Sequence, residues 1–193
     1  MTRHGFTAIA LALALAVLLV GCGDQSASRP ATSARAAPEQ ATEDPEAAQT
    51  APEFSLPLAG GGEVSLSDYE GKILVLDFWA TNCAGCVEEL PEFQEMYESW
   101  DHDKLECLGV SLDGSVGMVE AFLETRDDLT LPMAVGSPEM LEAYLGETWS
   151  IPAARVIGPE GTIAYEFGPG RSAAKVERAV AELLAEGESA EGG

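Results

Sequence analysis

The chain has 193 residues, with 33 acidic against 10 basic side chains, a formal charge of −23 and 46% apolar residues. A balance this acidic excludes nucleic acid as a partner and electrostatic docking to anionic lipid, and serves first to keep the protein soluble. The length allows one domain of ordinary size with flanking segments, and four cysteines have to be assigned.

Met1 to Gly5 carries one firm positive charge at Arg3, and Phe6 to Val20 is an almost unbroken apolar run. That run falls short of the roughly 20 residues of a spanning helix, so residues 1–21 read as an export signal. The run ends in Leu19-Val20-Gly21-Cys22, which resembles a bacterial lipobox. The resemblance implies cleavage before Cys22, acylation of that cysteine and a stable hold on the bacterial cell membrane, facing the periplasm or another extracytoplasmic space. From Gly23 to Thr50 the residues are mostly Ala, Ser, Thr, Pro, Gln and Glu without aromatics or periodicity, too polar to offset their ordering entropy. Residues 22–50 are therefore expected to be a disordered tether with an r.m.s. span of about 30 Å.

One domain is expected over residues 51–185, followed by a disordered acidic tail over 186–193. "APEFSLPLAGGGEVSLSDYEGK" alternates apolar and polar residues around Gly60-Gly61-Gly62, the pattern of a hairpin. Ile73 to Trp79 is nearly continuous in apolar residues, as in a strand buried on both faces. Val87, Leu90, Phe93, Met96 and Tyr97 then lie on one face of a helix from Cys83 to about Trp100, kinked at Pro91. Leu105 to Leu112 reads as a second buried strand, Ser115 to Thr125 as a helix, Leu131 to Val135 as a short strand and Pro138 to Leu145 as a helix. Ala153 to Ile157 and Thr162 to Phe167 flank the turn signal "GPEG", and Ala173 to Ala185 is an amphipathic helix. This order predicts an α/β domain with a central mixed β-sheet flanked by helices.

Cys83 and Cys86 fall where the first buried strand turns into its helix. With Asn82 as N-cap, Cys83 would stand on the first helical position, where free N–H groups and the helix dipole favour a thiolate. The thiolate is the attacking form, so Cys83 is expected to attack and the deeper Cys86 to resolve. Asp77 interrupts the apolar run of its strand; a buried, unpartnered carboxyl has a raised pKa and suits the role of proton acceptor from Cys86. Cys107, on the second buried strand, is expected to be an inert core thiol.

"DFWATNCAGCVEELP", with "FSLPLAGGGEVSLSDYEGK" before it and "WSIPAARVIGPEGTIAYEFG" after it, resembles the TlpA/ResA-like thiol-disulfide oxidoreductases of the thioredoxin superfamily. The resemblance implies a thioredoxin-like fold, a redox-active Cys83–Cys86 disulfide with no further cofactor, and Pro152 as a cis-proline facing the cysteines. It further implies that Trp79, Asn82 and the Ile151 backbone meet an extended client segment. The partners so implied are exported protein thiols and disulfides, apocytochrome c among them, and a membrane transporter that resupplies reductant to a monomeric protein. Asp77 matches the position of the buried aspartate of thioredoxin.

Two departures stand out. Asn82 and Gly85 replace a Trp and a Pro common in that family, and Glu88 and Glu89 stand where a basic residue is often found. Their charge opposes thiolate formation, which points to a reductant.

Rival readings fare worse. A metal site would draw on Cys83, Cys86, Cys107 and His102, but His102 lies in the polar "WDHDK" segment, and no metal is expected. A thiol peroxidase motif needs Pro and Thr or Ser where Leu76 and Ala80 stand. A membrane-tethered scaffold with a merely structural bridge is the alternative from another class, although so small a loop stabilises little.

Overall fold

The computed structural model describes residues 49–191 of the chain. The signal segment, Cys22 and the tether to residue 48 lie outside the described residues.

In chain order the elements are β1 (Gln49–Thr50), β2 (Ser55–Pro57), β3 (Glu63–Ser65), β4 (Ile73–Trp79), α1 (Ala84–Ser99) and β5 (Leu105–Ser111). There follow α2 (Val116–Leu123), β6 (Met133–Val135), α3 (Pro138–Leu145), β7 (Ala153–Ile157), β8 (Thr162–Phe167) and α4 (Ala173–Glu191). Six strands form one sheet in the order β1-β8-β7-β4-β5-β6, and β2 and β3 pair separately as a hairpin. β4 runs parallel to β5 and antiparallel to β7, which makes the sheet mixed.

β4 is central because it is buried at every position, and its side chains alternate between two cores. Ile73, Val75 and Trp79 meet Leu90 and Phe93 of α1, Val119 of α2, and Val176 and Val180 of α4. On the other face Leu74, Leu76 and Phe78 meet Leu56 of the hairpin and Met140 and Tyr144 of α3. Both faces are covered, so the strand has no exposed side on which polar residues would alternate.

Two expected boundaries are corrected. Gln49 and Thr50, assigned to the tether, pair with Ile163 and Thr162 as an edge strand. Such pairing satisfies the backbone and needs no apolar side chains, so composition does not reveal it. Residues 186–191, expected as disordered tail, continue α4. Its three Glu residues extend an existing helix at little cost, which offsets the less favourable Gly187, and Ser189 Oγ donates to the Ala185 carbonyl at 2.8 Å. α1 runs through Pro91 to Ser99. Among the described residues no helix is long and apolar enough to cross a membrane.

Candidate active site

β4 ends at Trp79, and Ala80, Thr81 and Asn82 carry the chain to the start of α1. The N-cap is Cys83 and not Asn82, which is exposed: Cys83 has extended backbone (φ −92°, ψ 97°) and its Sγ accepts from the Cys86 N–H at 3.2 Å. The sulfur itself thus occupies the capping position, one residue later than expected. Cys83 and Cys86 are joined in a disulfide, with Cα atoms 5.3 Å apart. Cys83 is partly exposed, whereas Cys86 is 1% exposed. In the dithiol form, the same N–H and the positive end of the α1 dipole bear on the Cys83 sulfur and favour its thiolate. An outer sulfur poised to attack and an inner one shielded from other partners is the asymmetry expected of an exchanging pair.

The loop before the cysteines is held from β5. Asp113 accepts from the Thr81 N–H at 2.9 Å and from Thr81 Oγ1 at 2.7 Å. Ser111 Oγ donates to the same carboxylate at 2.6 Å and accepts from the Asp113 N–H at 3.0 Å. A carboxylate receiving three donors fixes the loop where it leaves the sheet.

Asp77 is buried, but the expectation of an unpartnered carboxyl is corrected. Arg171, from the turn before α4, donates from Nη2 to Asp77 Oδ1, and both side chains are fully buried. Arg171 Nη1 also lies 2.9 Å from Glu89 Oε2, a charge contact without hydrogen-bond geometry, and the guanidinium sits 4.6 Å from the centre of the Phe93 ring. One cation therefore serves two carboxylates. Burial pushes the Asp77 carboxyl up to about 6, the nearby Glu89 charge adds to the rise, and Arg171 opposes it. Glu89 is also raised, chiefly by burial, against the pull of Arg171.

The Ile151–Pro152 bond is cis, and β7 starts only at Ala153, which pairs with Phe78 of β4. Pro152 is thereby level with the end of β4, at the end of the sheet from which the chain runs to Cys83. Ile151 is partly exposed and lies outside the ladder. Trp79 departs from its expected place: it is 0% exposed and packs on Phe122 with ring centres 5.2 Å apart. Facing the α1 side of the sheet, it is core and presents no surface to a client. Cys107 is a free, fully buried thiol whose pKa burial and Asp77 hold well above the usual value. Among the described residues no group of three His, Cys, Asp or Glu side chains is placed to hold a metal ion.

The AhpC/TSA family profile matches residues 47–166, well over half of the chain. The chain belongs to the AhpC/TSA family. The chain is similar to the thiol-disulfide oxidoreductase ResA of Oceanobacillus iheyensis, at 43% identity over 70 residues, 36% of each chain. The aligned part thus spans about a third of that relative's length. A thioredoxin family thiol:disulfide interchange protein from Chlorobium tepidum superimposes with a TM-score of 0.63 at 25% identity, covering 70% of this chain and 96% of its own. The exposed lipoprotein thioredoxin of Streptococcus pneumoniae does so with 0.61 at 28% identity, covering 68% and 100%. The fold is thioredoxin-like, and the TlpA/ResA-like resemblance read from three motifs stands. Within the AhpC/TSA family this chain has the Cys-x-x-Cys pair, with Leu76 and Ala80 in place of the peroxidase Pro and Thr.

Sequence reasoning missed Arg171 and Asp113. The first had a faint signal, since an arginine in "GPGRS" directly before a helix stands where its side chain can reach under a sheet end. Nothing in "SLDGS" distinguishes Asp113 from an ordinary turn residue.

Proposed function

We propose that this AhpC/TSA protein is a membrane-anchored, extracytoplasmic thiol-disulfide oxidoreductase that reduces disulfides in exported proteins through Cys83 and Cys86. The observation that carries the reading is the bridged pair at the start of α1, with one sulfur reachable and the other buried. The Cys83 thiolate attacks a client disulfide and releases one client thiolate, forming a mixed disulfide. Cys86 gives its proton to Asp77 and attacks the Cys83 sulfur, expelling the second client thiolate. The client gains two electrons and the pair is left oxidised. A membrane thiol transporter then restores the dithiol, and apocytochrome c is among the clients.

Asn82 and the Ile151 backbone form the surface for the client, supported by their exposure beside Cys83 and at the unpaired end of β7. The reducing direction is supported by charge. Two carboxylates share the one guanidinium of Arg171, and Glu88 is exposed on the first turns of α1, so acidic side chains oppose the pull of the α1 dipole on a thiolate. Acylation of Cys22 and a tether reaching to β1 would hold the monomeric domain off the membrane; the pneumococcal relative bears the name of a lipoprotein.

The deciding experiment is the redox midpoint of the protein, titrated against dithiothreitol or glutathione. A value near thioredoxin's, about −270 mV, supports a reductant. A value near about −120 mV would make it a disulfide donor, and the absence of a reversible transition would leave only a structural bridge.

A further inference from the structure

We propose that Trp149 and Glu166 line a pocket that takes a lysine or arginine side chain of the client segment docked at Ile151. The inference rests on the oxidoreductase reading and deepens it by naming the chemistry of the client.

Among the described residues Met118 and Trp149 are the large apolar side chains left exposed, Trp149 at 46%. Trp149 belongs to neither core and stands two residues before Ile151. With Thr148, Ser150, Arg155, Glu166 and Phe167 it borders a cavity of about 270 Å³. That volume lies below the roughly 300–1,000 Å³ of small-molecule sites and suits one long side chain. The cavity is at the same end of the sheet as Cys83, since Ala153 in its wall pairs with Phe78 near the end of β4, and Phe167 pairs with Ala154. Arg155 pairs with Leu76, which packs in the α3 core, so the cavity is on the α3 face, across the sheet from Cys86. Neighbouring strands lie about 4.8 Å apart, which places the β7 and β8 walls about two or three extended residues to the side of β4.

Charge selects the occupant. Arg155 is the one cation of the lining, and it is buried and committed: Nε donates to the Tyr144 carbonyl at 3.0 Å, and Nη1 to those of Ala154 and Phe167 at 2.9 and 3.3 Å. Its Nη2 lies 3.5 Å from Glu166 Oε2 and holds that carboxylate in place. The Glu166 side chain is 48% exposed against 9% for Arg155, so an entering group meets the carboxylate and the indole first. Glu147, exposed beside Thr148, adds a second negative charge. A cation gains from the carboxylate and from the indole, the best aromatic partner, while the stem of a lysine or arginine covers apolar surface. An acidic side chain would meet Glu166 and Glu147 in a chain of net charge −23, whose field also draws basic clients from a distance.

The reduced full chain is mixed with short peptides whose single cysteine is held as a mixed disulfide with thionitrobenzoate. Cys83 attacks the peptide sulfur and expels coloured thionitrobenzoate; Cys86 then attacks Cys83 and expels the peptide thiol, leaving the protein oxidised. The peptides differ only in having lysine, norleucine or glutamate about two or three residues from the cysteine. For wild type the bimolecular rate of release is higher with lysine than with norleucine, and lowest with glutamate. Trp149→Ala lowers the lysine-to-norleucine ratio by about two- to fivefold, and Trp149→Phe recovers part of it. Glu166→Gln also lowers the ratio, whereas Glu177→Gln, the same change of charge at an exposed position of α4, leaves it in place.

A ratio that either Trp149→Ala or Glu166→Gln leaves unmoved overturns the proposal and keeps the oxidoreductase reading intact. A glutamate peptide that outpaces the lysine peptide also overturns it, and assigns the cavity to an anion on Arg155. No release from any peptide would remove the oxidoreductase reading itself, and the pocket's role with it.

Discussion

Arg171 and Asp77, 94 residues apart in the chain, form a buried ion pair whose guanidinium packs on Phe93 of α1, the helix that carries Cys86. The carboxyl proposed as the proton acceptor for Cys86 is held by a cation that a second carboxylate, Glu89, also contacts.

The Asp77 carboxyl, with its pKa pushed up to about 6 from an ordinary value of 3.8, binds its proton more tightly in the folded state than in the unfolded one. Between those values the folded chain carries more protons, so this group's contribution to stability declines as pH rises, and the decline is complete above about pH 6. Urea titrations of wild type and Asp77→Asn at pH 4 and pH 7 should show the wild type losing on the order of 2–3 kcal/mol relative to the variant. A difference that is flat across this interval would refute the assignment.

Removing the cation should be worse than removing either carboxylate. Arg171→Met leaves two buried or half-buried acids facing each other, with an expected loss of about 3–5 kcal/mol by chemical denaturation. Arg171→Lys keeps the charge and should recover a large part of it.

Cys86→Ser leaves Cys83 able to attack and nothing to complete the exchange. After incubation with a disulfide-bearing protein, non-reducing gels should show a covalent adduct that reductant dissolves, whereas Cys83→Ser should give none. An adduct formed equally by both variants would break the assignment of attacking and resolving roles.

Asp113→Ala frees the loop that carries the cysteines by removing the acceptor of Thr81 and Ser111. A loss of about 1–3 kcal/mol in stability is expected from the donors left without a partner. Slower attack by Cys83 should accompany it, measured as the bimolecular rate with oxidised glutathione.

Cys107 is a fully buried thiol on β5, opposite Val75 of β4, and is expected to take no part in exchange. Cys107→Ala should leave the exchange rate unchanged and cost about 1–2 kcal/mol through the small cavity it creates. Iodoacetamide should label Cys107 only after denaturant unfolds the sheet.

The continuous apolar runs of β4 and β5 and the helical spacing of α1 were legible because each is a local pattern, repeated over seven or more residues. The cysteine pair was legible for the same reason: its spacing and its place after a buried strand imply a helix start. Trp79 was carried to the client surface by the resemblance, whereas the alternation of β4 turns it into the core. The N-cap was off by one residue because both Asn82 and Cys83 have side chains able to accept from the helix N–H groups, and only the backbone path chooses between them.

By itself the sequence determined the order of the elements, the mixed sheet and the identity of the two sulfurs, since strand burial, helix periodicity and spacing are written in neighbouring residues. The tertiary structure alone decided that Asp77 has a partner, that Glu89 and not Glu88 shares it, and that Asp113 clamps Thr81. These pairings join residues 32 to 94 positions apart. A buried charge takes whichever opposite charge the packed helices bring within reach, and no local pattern in the chain records which one that is.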